Sequence, residues 1–78
     1  MYFTYILQSL KDKKLYVGWT NDLACRFKEH SEGRVRSTKD RRPLELVYYE
    51  ACRNKQKAIL REKYFKTGFG RRFLKGRL

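Results

Sequence analysis

Five residues of this chain carry reactive or charged groups at separations that fold them toward one another: Tyr5, Tyr16, Arg26, His30 and Glu62. Glu62 is the most telling. In the segment Ala58-Ile59-Leu60-Arg61-Glu62-Lys63-Tyr64-Phe65, a helical turn of about 100° per residue sets it between Ala58, Ile59 and Phe65, along an apolar stripe. An unpaired carboxylate is costly there, so the position asks for a cation as partner. The rest of the chain is strongly basic, with 20 Lys and Arg against 8 Asp and Glu and a net charge of +12. Such a surface attracts polyanions, and a single acid within it could hold a metal ion against a phosphate.

Arg26 and His30 stand four residues apart on one helical face, sharing it with Leu23 and Phe27. Leu23 and Phe27 are ordinary core anchors, whereas a purely structural helix seldom uses an arginine and a histidine for the other two places. The plain alternative is that Arg26 snorkels past Phe27 and His30 sits at the exposed end of the helix. In a strand, side chains alternate, so Phe3, Tyr5 and Leu7 share one face, as do Tyr16 and Gly18 on the next strand. Tyr5 then comes within a couple of residues of facing Tyr16, and two phenols flank one spot on the sheet. Gly18, with no side chain, leaves that spot open to a backbone or a phosphate. Tyrosines in half-buried strands also need no function.

The elements that hold these residues follow from local pattern. Residues 2–8 are rich in aromatic and β-branched types and predict a strand, and residues 15–19 predict a second, making a hairpin. Thr20-Asn21-Asp22 offers three N-cap types for a helix reaching about Ser31, ended by Gly33. Leu44 to Cys52 predicts a third strand. Asn54 caps a second helix continuing to Thr67, with Gly68 as its stop, and Phe69-Gly70 leads into a short helical turn carrying Phe73 and Leu74. The expected fold is α/β: residues 1–78 form one small domain with a three-stranded antiparallel or mixed sheet and flanking helices, in the order β-β-α-β-α-α.

A chain of 78 residues buries only roughly 60% of its unfolded surface, which leaves no room for separate catalytic and recognition domains. An apolar fraction of 41%, with six Tyr, five Phe and one Trp, suits a globule and argues against disorder. Cys25 and Cys52 form no metal-binding pattern and read as two buried free thiols in a reducing compartment, with one disulfide as the alternative that spacing leaves open. No apolar stretch approaches a membrane span and no signal peptide opens the chain, so a soluble, cytoplasmic protein without a membrane partner is expected. The segment Gly33–Pro43, with Arg34, Arg36, Lys39, Arg41 and Arg42, and the C-terminal stretch with Arg71, Arg72, Lys75 and Arg77 are candidates for phosphate contacts. Ser37, Thr38 and Tyr48 or Tyr49 could add phosphate hydrogen bonds, although core or strand-edge places suit the tyrosines better. No base-reading helix or zinc finger is present, which argues against restriction-type sequence specificity.

Taken together, Phe3-Thr4-Tyr5, Tyr16-Val17-Gly18, Arg26-x-x-x-His30 and the later Glu62 resemble the GIY-YIG nuclease domain, above all its small stand-alone bacterial members of the YhbQ-like kind. The likeness runs from Phe3 to about Leu74. Each motif is weak alone, while the five residues Tyr5, Tyr16, Arg26, His30 and Glu62 in this order and spacing are fairly specific. The resemblance implies hydrolysis of phosphodiester bonds with one divalent ion, Mg²⁺ or Mn²⁺, on Glu62, and no small-molecule cofactor. It implies Arg26 on the scissile phosphate, with Tyr5, Tyr16 and His30 around the attacking water and the general base left open among them. Nucleic acid is the implied partner, DNA ahead of RNA. Two departures stand out. The first motif keeps only its tyrosine, with Val17 replacing isoleucine in the second. Many catalytic members also carry an asparagine beyond the glutamate, and this chain has none after Asn54. The implied activity is therefore that of an endonuclease or nickase of low sequence specificity in repair- or recombination-like processing. Its rival is a catalytically weak or inactive nucleic-acid-binding module on the same fold. A small basic RNA- or ribosome-associated protein is a third reading.

Overall fold

In the computed structural model, which describes residues 1–78, the aromatic and β-branched opening forms β1 (Tyr2–Ser9) and the next such run forms β2 (Leu15–Thr20). Ser9 organises the turn between them. Its Oγ accepts from the N–H groups of Lys11 (3.1 Å) and Asp12 (3.2 Å) and donates to the Arg41 carbonyl at 2.6 Å. Helix α1 (Leu23–Ser31) starts at Asp22, whose carboxylate accepts from the Cys25 N–H at 3.0 Å. Gly33, at φ 77°, ends it in the left-handed conformation that favours glycine. A single 3₁₀ turn, Lys39–Arg41, interrupts the following segment, and β3 (Leu44–Cys52), α2 (Lys55–Phe65) and α3 (Gly68–Arg77) complete the chain.

The sheet is fully antiparallel in the order β2-β1-β3, so the first strand lies at its centre. An irregularity in the β1–β3 pairing between Ile6 and Leu7 leaves Val47 as the extra residue on β3. Helices and loops cover both faces of β1, which is why Thr4, Tyr5, Ile6 and Leu7 are all buried in succession. On one face Ile6 packs with Phe65 and Leu74, and Thr4 donates its hydroxyl proton to the Ala58 carbonyl at 2.9 Å. The other face carries Tyr5 beneath α1 and the segment that follows it. The expected α/β fold and element order are those observed.

The C-terminal third departs from expectation. The second helix stops at Phe65, and the Thr67 hydroxyl accepts from the Gly70 N–H at 3.1 Å, capping α3 rather than extending α2. Gly68 is the first residue of a ten-residue helix, not the stop of the previous one. Gly70 is needed where the two helices meet, because a Cβ there would collide with the Tyr64 carbonyl oxygen. Arg61 fastens this corner. Its guanidinium carbon stands 4.9, 4.6 and 5.0 Å from the ring centroids of Tyr64, Phe65 and Phe73, while Nε and Nη2 donate to Glu50 at 2.8 and 3.1 Å. Both cysteines are free, but Cys25 is exposed on α1 and Cys52 only half-buried at the end of β3, which corrects the expectation that both are buried. No helix is long and apolar enough to cross a membrane.

Candidate active site

Strand pairing decides what the first tyrosine can do. Tyr5 pairs with Gly18 and Leu7 with Tyr16, so the two phenols sit diagonally, their ring centroids 6.4 Å apart. A Cβ on Gly18 would fall 2.5 Å from the Tyr5 hydroxyl oxygen. This corrects the expectation for Gly18. The space it leaves is filled by the Tyr5 ring, and the residue is itself buried rather than open at the surface.

Tyr5 is 1% exposed and His30 is fully buried, with the Tyr5 hydroxyl 2.8 Å from His30 Nε2. On the far side of the imidazole, Nδ1 lies 2.7 Å from Oγ1 of Thr38, also fully buried, and that hydroxyl reaches the Val35 carbonyl at 3.5 Å. Donor and acceptor inventory assigns the protons. A carbonyl only accepts, so Thr38 donates to Val35, His30 Nδ1–H donates to Thr38, and Tyr5 donates to Nε2. Burial, reinforced by the charge of Arg26, pushes His30 down to about 4, which keeps the imidazole neutral as this chain of bonds requires. Burial also raises the Tyr5 phenol above its ordinary value; the guanidinium of Arg26 opposes this, and the charges of Tyr16 and Glu62 add to it.

Three corrections follow. His30 is not at an exposed helix end. Neither it nor Tyr5 can touch a water in an open groove, so of the three groups expected around such a water only Tyr16 reaches solvent. Thr38, expected among phosphate contacts, instead holds His30 from inside. Nothing in the sequence marked that role, because Thr38 sits in a cationic loop eight residues from its partner. Tyr16 lies over the buried pair, its ring centroid 5.2 Å from that of His30.

Arg26 borders the buried pair on one side and solvent on the other. Its Nη1 meets Glu29 Oε1 at 3.3 Å, and its side chain is 37% exposed. Burial pulls its acidity one way, but the Tyr5 phenol and the Glu29 carboxylate outweigh that and hold it more firmly protonated. Glu62 comes from α2, with its side chain 19% exposed, so it does not point into bulk solvent, and its charge is felt at Tyr5. The cation it meets here is the Lys66 ammonium at 3.7 Å, on a side chain 56% exposed. No cluster of three or more His, Cys, Asp or Glu side chains stands ready to cage a metal. One half-sheltered carboxylate fits a hard ion that keeps its waters and takes a further ligand from a substrate phosphate.

The expected phosphate contacts divide. Arg36, Lys39, Arg71 and Arg72 are exposed, and Arg34 pairs with Glu32 at 2.8 Å. Arg41 is tied to Asp12 at 3.3 Å, and Arg42 donates to the Lys39 carbonyl at 2.9 Å while lying over Gly33, so these two also shape the loop. Arg71 joins Lys13, Lys14, Lys66 and Lys75 around a groove of about 830 Å³ that Tyr16 borders. The sequence did not single out that convergence.

Residues 1–75 match the family described as the GIY-YIG catalytic domain. A UPF0213 protein of Clostridium perfringens is 46% identical over 67 residues, covering 85% of this chain and 71% of the relative. The UPF0213 protein YazA of Bacillus subtilis is 42% identical over 66 residues, covering 83% and 66%. The chain thus spans about two thirds of the length of such relatives. The solution NMR structure of a UPF0213 protein from Bacillus halodurans is similar at a TM-score of 0.59 and 31% identity, over 97% of this chain and 84% of that one. By this match, these relatives and the shared fold, the chain belongs to the GIY-YIG catalytic domain family, whose function is of the endonuclease type.

Proposed function

We propose that this protein is a metal-dependent endonuclease or nickase that hydrolyses phosphodiester bonds in DNA with low sequence specificity, in cytoplasmic repair- or recombination-like processing. The observation that carries the reading is the buried Tyr5–His30 pair, 2.8 Å apart, beneath a solvent-facing Tyr16 and flanked by Arg26 and Glu62. A hydrogen-bonded core of that kind fixes groups around a point on the surface, which positioning catalysis needs.

In this reading Arg26 binds the scissile phosphate through the N–H groups that Glu29 leaves free, and offsets charge as it grows on the phosphate oxygens. Tyr16 presents its hydroxyl to the attacking water. A phenol has a free pKa near 10, so its use as a base at neutral pH needs a nearby cation. Tyr5 and His30 hold position below it: Tyr5 keeps its proton and gives it to His30 in a hydrogen bond. Glu62 would hold Mg²⁺ or Mn²⁺ once it is released from Lys66. Bound there, the ion would supply electrostatic neutralisation at a phosphate oxygen. The exposed arginines and lysines supply backbone affinity without base reading.

One observation favours the second reading, a binding module with little turnover. The chain has no asparagine after Asn54 to orient substrate beyond Glu62. The test is incubation of purified protein with nicked, flapped and single-stranded DNA in Mg²⁺ or Mn²⁺, beside Glu62→Ala. Cutting that disappears in the variant supports the nuclease, and cutting that persists unchanged in it sinks the assignment. Binding of every substrate without cutting would leave the module.

A further inference from the structure

The open end of β2 borders a cavity of about 540 Å³, of which the chemistry above uses only Arg26. Its walls bring together Tyr2 from β1, Trp19 near the end of β2, Asn21 just beyond that strand, Arg26 and Glu29 from α1, and Lys55 from the first turn of α2. We propose that this cavity is a nucleotide subsite, taking the nucleotide next to the bond that is cut. Its phosphate lies between Arg26 and Lys55, and its base lies against the aromatic wall of Trp19 and Tyr2. The proposal rests on the nuclease reading and adds a place for the neighbouring nucleotide.

The chemistry of the walls points to that ligand. Lys55 has no carboxylate within ion-pairing distance, and its ammonium stands 5.5 Å from the centroid of the Trp19 ring. A cation held only by an aromatic face is free to move onto an anion. Arg26 commits Nη1 to Glu29 and turns part of its guanidinium to the Tyr5 phenol, which leaves its remaining N–H groups for an anion. Two cations suit one phosphate, and the Glu29 carboxylate in the same wall repels a second, which disfavours a di- or triphosphate. Aromatic surface beside cations is the pattern that binds a base and its phosphate together. The exposed Asn21 amide, which makes no hydrogen bond within the chain, can meet the edge of a base. The volume falls within the roughly 300–1,000 Å³ usual for small-ligand pockets.

Trp19 is the only tryptophan, so its fluorescence reports on the cavity directly. The experiment titrates intact protein, without metal, with thymidine 5′-monophosphate, thymidine 3′-monophosphate, thymidine and inorganic phosphate. A saturable change is expected with a monophosphate, with thymidine and inorganic phosphate each binding at least about tenfold more weakly. Lys55→Gln, with an unchanged melting temperature, weakens the monophosphate about tenfold, as loss of one charge-assisted contact should. Inorganic phosphate binding as tightly as the nucleotide would reduce the cavity to an anion site and overturn the proposal. An absent response, or equal affinity in Lys55→Gln, overturns it as well. No turnover is needed for this readout. DNA cleavage without nucleotide binding therefore removes only the subsite, and binding without cleavage supports the subsite while removing the nuclease.

Discussion

Tyr5 faces Gly18 across the β1–β2 pair, and its phenol occupies the volume that a side chain at position 18 would need. The glycine therefore serves the tyrosine. It lets a full-sized ring lie flat over the neighbouring strand and reach His30 from beneath the surface.

Gly18→Ala tests this directly. The new methyl would stand 2.5 Å from the Tyr5 oxygen and 2.6 Å from Cζ, closer than packed atoms allow, and the ring is buried with little room to retreat. A loss of about 1–3 kcal/mol is expected from overpacking, read by urea denaturation. An alanine variant as stable as the parent would mean that the Tyr5 ring has another place to go.

The same buried pair makes a pH prediction. Burial and the charge of Arg26 push His30 down to about 4 in the fold from an ordinary 6.5, so the unfolded chain binds the extra proton first. The stability tied to neutral His30 is thus complete above about pH 6.5 and falls as pH drops toward 4, by up to about 3 kcal/mol as an upper figure. Two carboxylates begin to lose their contributions at the acid end of this range and go on losing them below it: Glu50, where burial is outweighed by Arg61 and Tyr48, and Asp12, held below its usual range by the Lys14 N–H. His30→Gln should flatten the parent's slope between pH 6.5 and 4. Parallel slopes for variant and parent would show that the imidazole titrates freely.

Thr38 should behave as the anchor of His30. Thr38→Val keeps the shape but removes the acceptor for Nδ1–H, leaving a buried donor unsatisfied at a cost of about 1–3 kcal/mol. Thr38→Ser keeps the oxygen and should keep most of the stability. The ring ¹⁵N shifts of His30 give a second readout: the parent and the serine variant carry the proton on Nδ1, and the valine variant loses that preference. An unchanged tautomer in Thr38→Val would remove Thr38 from the network.

How much of this was legible in the sequence depends on whether the signal was local. Strand alternation, Asp22 and Asn54 as caps and Gly33 as a stop act within a few residues, so β1, β2, β3, α1 and the start of α2 were readable. Thr67 and Gly68 misled because a threonine followed by a glycine can close one helix or open the next. Tertiary contact of Gly70 with the Tyr64 carbonyl favours the second outcome. Grouping of the candidate residues came from their order and spacing. Burial did not: whether Tyr5 and His30 face water depends on the segment around Val35 and Thr38 closing over them, and that segment carries no periodic pattern.

Arg61 should prove structural and irreplaceable by lysine. A lysine keeps the charge but loses both the two-pronged grip on Glu50 and the guanidinium's close approach to the Phe65 and Phe73 rings. Arg61→Lys is expected to cost about 1–2 kcal/mol in thermal unfolding, while nucleic-acid affinity stays within a factor of about two. A large drop in affinity at unchanged stability would make Arg61 a contact residue instead.

The two sets of exposed cations make separable predictions about salt. Arg34 is partly spent on Glu32, and Arg36 and Lys39 are exposed but line no part of the groove, whereas Lys13, Arg71 and Lys75 converge on it beside Tyr16. Each phosphate neutralised contributes about 0.9 to the slope of log affinity against log salt on duplex DNA. Replacing Lys13, Arg71 and Lys75 together with glutamine should therefore lower the slope by about 2 to 3, measured by fluorescence anisotropy on a short labelled duplex. The triple glutamine variant of Arg34, Arg36 and Lys39 should lower it by about 1 or less, since none of those charges lines the groove. The opposite ranking would move the main phosphate track from the groove to the loop between α1 and β3.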